Sequence, residues 1–288
     1  MTVTTRFAPS PTGPLHLGHA YSALMAWDLA QAQQGRFLLR IEDIDTSRAR
    51  PAWEAQIFDD LAWLGLHWPE PVKRQAQDLS PYRSALENLW SRGLLYVCTC
   101  KRRDILEAAS APQEGAPPLG PDGIVYPGTC RARPKDAATP LPADAALRLD
   151  LRACAAVLPD TITFEETGNG APRTGWIATP LSDLFHRVGD AVLCRQNMGT
   201  SYHLSVVLDD AEQGITDVVR GADLFDATAF HVVIQRLLDL PTPRYHHHRL
   251  IRDDHGKRLA KRDDARAIST YRDAGAMPQD IRRMVGLG

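Results

Sequence analysis

The chain has 288 residues, with 33 Lys and Arg against 35 Asp and Glu, a formal net charge of -2, and 44% hydrophobic and 24% charged residues. Those proportions are ordinary for a globular protein, exclude a collagen, a disordered tail and a coiled coil, and suit one large domain or two modest ones. No apolar run reaches the roughly 18 residues of a membrane span and MTVTTRFAPSP has no basic segment ahead of an apolar one, so the expectation is a cytoplasmic enzyme whose near-neutral total argues against a polyanionic partner.

Thr4 to Ala8 reads as a short strand. PSPTGPLHLGH then interrupts the pattern, after which Tyr21, Leu24, Met25 and Leu29 recur at helical spacing until Gly35, a plausible helix stop. Arg36 to Ile41 is a compact strand candidate ending in the acidic cluster Glu42, Asp43 and Asp45. Strand, glycine-bearing loop, helix and strand form a βαβ unit, the opening of a doubly wound nucleotide-binding sheet.

From Pro51 to Arg92 the pattern is helical, with Trp53, Ile57, Leu61 and Leu64 on one stripe. Residues 111 to 143 hold eight of the 21 prolines and four glycines, and read as turn-rich structure. Short strands follow at Ala146 to Leu151 and Ile162 to Phe164, then Tyr202 to Leu208 as a buried strand and Ile215 to Val219 as another, before a helix from Phe230 to Leu240. The sum is α/β: a Rossmann-like parallel sheet split by an insertion, with a short basic tail. His246, His247 and His248, consecutive on an extended segment, point to alternate faces, cannot share one ion and are expected at the surface.

Five cysteines in a chain of this length do not make a disulfide framework. Cys154 and Cys194 stand alone and read as buried apolar residues. Cys98 and Cys100 could offer two thiolates to a tetrahedral zinc, Cys130 a third and Tyr126 a phenolate; spacing alone leaves this reading and three plain reduced cysteines about equally open.

His16, Leu17, Gly18 and His19 fall at the start of the helix after the first strand, where unpaired N–H groups and a partial positive charge attract phosphate. Gly18 lets a nucleotide approach, and the two histidines can donate hydrogen bonds to phosphate oxygens as charge develops. Near the other end, Gly256 to Arg262 (GKRLAKR) places four cations in seven residues between two aspartate pairs. Taken alone, the first is a capped helix and the second a solvated loop. Together they resemble the HIGH and KMSKS signatures of class I aminoacyl-tRNA synthetases: HLGH matches the first, and RLAKR, Arg258 to Arg262, the second in degenerate form. The resemblance makes Lys261 the ATP-contacting lysine, while Arg258 and Ala260 depart from the pattern.

RFAPSPTGPLHLGHA and RIEDID look very like the glutamyl and glutaminyl branch of that class. The resemblance implies that Arg6, Ala8 and Ser10 line the amino-acid pocket and that Glu42 takes the substrate ammonium. SYHLSVVLDD and VVRGADL carry over Tyr202 as a pocket wall and Arg220 as a substrate-carboxylate partner. An arginine's planar fork suits a carboxylate, whereas the plain reading of Arg6 and Arg220 is surface ion pairing. The match runs from Arg6 to about Tyr271 and leaves 17 residues, too few for the helical anticodon-binding region of full glutamyl-tRNA synthetases.

A catalytic half with C-x-C and Y-x3-C and no anticodon-binding domain resembles the glutamyl-Q tRNA(Asp) synthetases, a family in which positions matching Cys98, Cys100, Tyr126 and Cys130 bind structural zinc. Val206 stands where many full synthetases carry asparagine. The implied reaction joins L-glutamate to ATP, with Mg2+, to give glutamyl-adenylate, and passes glutamate to queuosine in the anticodon loop of tRNA(Asp). Four segments are expected: 1–95, the first half of the catalytic domain; 96–185, a zinc-bearing insertion; 186–240, the second half; and 241–288, the KMSKS-like loop and a truncated helical tail, the whole a monomer. Competing readings are a truncated or discriminating glutamyl-tRNA synthetase charging a tRNA 3′ end, a nucleotide-binding regulator and a small-molecule nucleotidyltransferase. From Arg244 onward there are eleven Lys and Arg against six Asp and Glu, so a neutral total does not exclude tRNA.

Overall fold

The computed structural model describes residues 2–109, 118–133, 138–252 and 266–288. β1 (Thr4–Phe7) leads into α1 (Leu17–Ala32) and then β2 (Arg36–Ile41), which runs parallel to β1 with Thr4 opposite Arg36 and Phe7 opposite Leu39. α1 ends before Gly35, whose amide returns to the Ala30 carbonyl at 2.8 Å. A Cβ there would lie 2.2 Å from the Val3 carbonyl oxygen, so only glycine lets the chain turn this close to the first strand.

The helical stretch expected from Pro51 to Arg92 is two helices, α2 (Pro51–Trp63) and α3 (Ser80–Ser91), separated by the short strand β3 (Lys73–Arg74) that extends the sheet beside β2. β4 (Leu95–Val97) and α4 (Arg102–Ala109) precede a small hairpin, β5 (Leu119–Gly120) and β6 (Gly123–Ile124). β7 (Leu147–Leu149) pairs antiparallel with β4 and is followed by α5 (Leu151–Cys154), then by β8 (Thr161–Glu166) and β9 (Gly175–Pro180), which form an antiparallel pair. α6 (Leu181–Arg187) and β10 (Val192–Cys194) complete this region.

α7 (Tyr202–Glu212) occupies the segment read as a strand. Its first turn begins after Ser201, and it closes at Gly214 (φ 64°), with the Ile215 amide reaching back to the Asp210 carbonyl at 2.9 Å. His203, Leu204, Ser205, Val206, Val207, Asp209 and Asp210 are all buried, and a helix buried on most of its faces has the same unbroken apolar signature as a central strand. The strand expected at Ile215 to Val219 lies slightly later, as β11 (Asp217–Gly221), and the final helix before Pro241 is α8 (Thr228–Leu237). β12 (Arg244–His248) follows, then α9 (Ile268–Asp273) and α10 (Pro278–Met284).

β11 pairs parallel with β12, and β12 with β8, giving the order β11-β12-β8-β9. β1 lies against β11: the Thr216 amide donates to the Thr4 carbonyl (3.0 Å) and the Thr4 amide to the Thr216 hydroxyl (2.8 Å). The first half of the sheet therefore grows from β1 in one direction and the second from β11 in the other. This is a switch point, and the crevice beyond the carboxyl ends of such strands is where ligands bind in open α/β sheets. One core, containing Ala20, Leu24, Leu39, Ile57 and Ile281, sits under α1; a second, containing Leu204, Val218, Phe230 and Tyr245, lies between α7, α8 and the second half of the sheet.

One expectation about exposure is corrected. His247 and His248 are buried, and the alternation along β12 turns His247 into the second core, where Glu166 and Arg220 satisfy it. Arg6 and Arg220 are also buried, so surface ion pairing does not describe either. No helix among the described residues is long and apolar enough to cross a membrane.

Candidate active site at the switch between the strands

A cavity of about 510 Å³ opens at the switch point, and Arg6, Ala8, Ser10, His16, Gly18, His19, Glu42, Tyr202 and Arg220 all line it. Lys261 and the rest of the RLAKR segment lie outside the described residues. Val206, the position that departs from asparagine, is also in the wall, as are Asp223 and His248, which sequence reasoning did not single out for the site.

His16 is the N-cap of α1. Its Nδ1 accepts from the Gly18 amide (3.1 Å), and the His19 Nδ1 accepts from the His16 amide (3.2 Å), a reciprocal capping box built from two imidazoles. With Nδ1 an acceptor in both rings, each neutral imidazole carries its proton on Nε2. The rings lie 3.8 Å apart. Gly18 has no spare room: a Cβ would sit 3.0 Å from His16 Cε1. Both rings and the positive end of α1 thus lie in the lining of the cavity.

Another part of the lining, Arg6 and Glu42, is ionic. Arg6 closes on Asp210 through Nε to Oδ1 (2.9 Å) and Nη2 to Oδ2 (3.2 Å), and donates Nη1 to the Val219 carbonyl (3.2 Å). Arg40, fully buried, reaches both Asp210 (2.8 Å) and Glu42 (3.2 Å). Burial pushes the Glu42 carboxyl above its ordinary value despite the nearby Arg40 and Arg6 cations. At Asp210 burial acts in the same upward direction, but the two arginines overcome it and hold the carboxyl below its ordinary value. Asp210 and Arg40 were missed in the sequence; the available signal was two aspartates ending a run that had to be buried.

Arg220 is held differently. Its Nε donates to His247 Nε2 (3.0 Å), Nη1 to His231 Nδ1 (3.0 Å), and Nη2 to Thr228 Oγ1 (2.8 Å) and the Leu224 carbonyl (3.3 Å). Among the described residues no carboxylate lies within salt-bridge distance of this guanidinium, and none of them pairs with its charge directly.

Away from the cavity, Cys98, Cys100 and Cys130 bring their three sulfurs within 4.8 Å of one another. Tyr126 Oη lies 3.5 Å from Cys98 Sγ and 3.4 Å from Cys100 Sγ, and the Cys130 amide donates to it at 2.9 Å. Burial acts against the Cys130 thiolate, but hydrogen bonds from Tyr126 and the Thr99 backbone bring the thiol down to about 6. Thiolates about 2.3 Å from a tetrahedral ion lie ~3.8 Å apart, and the Cys100 to Cys130 sulfur separation of 3.5 Å is close to that, so the donor set fits a metal ion. Cys154 and Cys194 are buried apart from this cluster, as expected.

Residues 2–121 and 178–287 match the family described as tRNA synthetases class I (E and Q), catalytic domain. A Rhodobacter capsulatus protein named glutamyl-Q tRNA(Asp) synthetase is 62% identical over 98% of this chain and 99% of its own length. The chain belongs to the glutamyl-Q tRNA(Asp) synthetase family of class I. A Deinococcus radiodurans protein of the same name is 41% identical over 96% of the chain and 86% of its own length. The fold is that of a class I synthetase catalytic region: a glutamate-tRNA synthetase structure from Elizabethkingia anophelis superposes with a TM-score of 0.76 at 24% identity over the whole chain. The chain spans 61% of that structure's length. A methionyl-tRNA synthetase from Mycobacterium tuberculosis aligns with a TM-score of 0.58 at 12% identity, covering 99% of this chain and 64% of its own.

Proposed function

We propose that the chain activates L-glutamate with ATP, without tRNA, and passes the glutamyl group to queuosine in the anticodon loop of tRNA(Asp). The observation that carries the reading is the single cavity lined together by the imidazole-capped start of α1, Glu42, Tyr202 and Arg220. The choice of acceptor rests on the names of the relatives.

In this reading Glu42 receives the substrate ammonium, which favours the carboxylate's charged form, while Arg220 receives a substrate carboxylate and Tyr202 closes the wall. Arg6, with Ala8 and Ser10, shapes the pocket, its charge already met by Asp210. ATP lies over Gly18 with its phosphates toward His16 and His19, and Lys261 is the ATP-contacting lysine that the resemblance implies. The α-carboxylate oxygen of glutamate forms a bond to the α-phosphorus, and the bond to pyrophosphate breaks. A queuosine hydroxyl then attacks the adenylate carbonyl carbon, AMP departs and the hydroxyl proton is lost. The protein contributes position and charge stabilisation. Magnesium bound with ATP would supply further neutralisation of phosphate charge.

Cys98, Cys100, Cys130 and Tyr126 would hold zinc as a structural cross-link. Residues 1–95 and 186–240 form the two catalytic halves of this reading, 96–185 the insertion, and 241–288 the loop and basic tail available to tRNA phosphates. Glutamate-dependent exchange of pyrophosphate into ATP in the absence of tRNA tests the first step. Exchange with glutamate and none with aspartate is expected; no exchange would leave the regulator reading standing.

A further inference from the structure

Arg220 lies between two hydrogen-bonded chains that run to carboxylates on different elements. On one side His231 Nδ1 meets Arg220 Nη1 (3.0 Å), His231 Nε2 meets His203 Nδ1 (2.9 Å), and His203 Nε2 meets Asp122 Oδ2 (2.8 Å). On the other, Arg220 Nε donates to His247 Nε2 (3.0 Å), and His247 Nδ1 meets Glu166 Oε2 (2.5 Å). Arg220, His203, His231, His247 and Glu166 are buried, while the Asp122 side chain is half exposed on the hairpin between β5 and β6.

A guanidinium can only donate, so each nitrogen it meets must be a lone pair. His231 is then protonated on Nε2, which obliges His203 to accept at Nδ1 and to carry its own proton on Nε2, pointed at Asp122. By the same logic His247 is protonated on Nδ1 and donates to Glu166. One set of tautomers satisfies both chains, and in it all three rings are neutral. Burial and then the Arg220 charge push His231 far below the ordinary imidazole range; burial outweighs the Glu166 hydrogen bond at His247 and takes it to about 4.

Arg6 shows the alternative way to hold a buried arginine, by direct closure on the carboxylate of Asp210. That arrangement spends the cation's field on an internal partner. Setting a neutral ring between cation and carboxylate fixes the guanidinium plane and leaves its charge facing the cavity.

Resting on the reading that Arg220 receives a substrate carboxylate, we infer that Asp122, His203 and His231 on one side, and Glu166 and His247 on the other, are positioning residues that hold Arg220 through neutral imidazoles so that its charge serves the glutamate. The hairpin that carries Asp122 thereby becomes part of the amino-acid specificity machinery, although it touches neither substrate.

Nitrogen-15 correlation spectra of the whole protein, with histidines assigned by single substitution, read the tautomers directly. Protonation at Nε2 of His231 and His203 and at Nδ1 of His247 is expected between pH 6 and 8; an imidazolium or the opposite tautomer at His231 overturns the inference whatever the activity. In pyrophosphate exchange, His231→Leu raises the glutamate KM by about tenfold or more with the ATP KM within about twofold, since one hydrogen bond to a charged group is lost. His231→Gln, which can accept from Arg220 and donate to His203, recovers most of the loss. Asp122→Ala, remote from the core, raises the glutamate KM about threefold and mixes the His203 tautomers. If Arg220→Ala leaves the glutamate KM unchanged, the reading of the pocket fails; if it raises the KM while His231→Leu and Asp122→Ala do not, that reading stands and the relay is refuted.

Discussion

Arg6, which lines the cavity, and Asp210, 204 positions apart from it in the chain, are joined by two hydrogen bonds of 2.9 and 3.2 Å. The contact ties the end of β1 to α7 across the switch point, and Asp210 takes Arg40 as well. Removing this carboxylate leaves the buried Arg6 without its ion-pair partner and Arg40 with only Glu42 and Asp209. Asp210→Ala is therefore expected to cost about 3 to 5 kcal/mol in urea unfolding and to lower glutamate-dependent exchange in the fraction that folds. A loss below about 1 kcal/mol would mean that the arginines find other partners.

Gly18→Ala separates folding from ATP binding. Alanine is the better helix former by about 1 kcal/mol, so thermal stability is expected to hold or rise. The new Cβ, 3.0 Å from His16 Cε1, makes the cap imidazole give by a few tenths of an ångström beside the ATP phosphates. The ATP KM should rise by roughly tenfold while the glutamate KM stays within about twofold. Equal effects on both substrates would contradict the assignment of this helix start to ATP.

Asp60 sets a pH dependence of stability. It is buried on α2, neither oxygen has a hydrogen-bond partner among the described residues, and Arg272 approaches to 3.7 Å. Burial lifts its carboxyl from 3.8 to about 6, only partly opposed by Arg272. Between those values the folded chain keeps a proton that the unfolded chain releases, so this group's contribution to stability falls as pH rises from about 4 to about 6 and is flat above. Asp60→Asn should add about 2 kcal/mol at pH 7.5 and little at pH 4, read by urea unfolding at each pH.

The sulfur cluster makes a prediction about composition. The purified protein is expected to carry about one zinc per chain, and Cys130→Ser to lose most of it. Chelation should lower the midpoint of thermal unfolding by about 4 °C or more. A metal-free protein of unchanged stability would leave the three thiols as packing residues.

Much of this arrangement could be read from local pattern. Arg36 to Ile41 emerges as the strand its composition implies, and His16 to Gly18 sits at a helix start because prolines and a glycine precede an apolar run. Tyr202 to Leu208 has the length and unbroken apolar content of a buried strand because burial on most faces erases periodicity, and only Gly214 beyond it favours a helix. The histidines of β12 alternate as a strand requires, yet nothing local tells which neighbours will bury them; Glu166 and Arg220 meet His247 only once β8, β11 and β12 are side by side. Asp122, His203 and His231 were invisible for the same reason, since their relation is made by a hairpin and two helices far apart in sequence.

Labelled glutamate should be transferred, with ATP, to tRNA(Asp) that carries queuosine, including a sample whose 3′-terminal adenosine has been removed, and should not be transferred to the same tRNA lacking queuosine. Label on queuosine-free tRNA that disappears with the 3′-terminal adenosine would contradict the account and assign the chain to charging of the acceptor end.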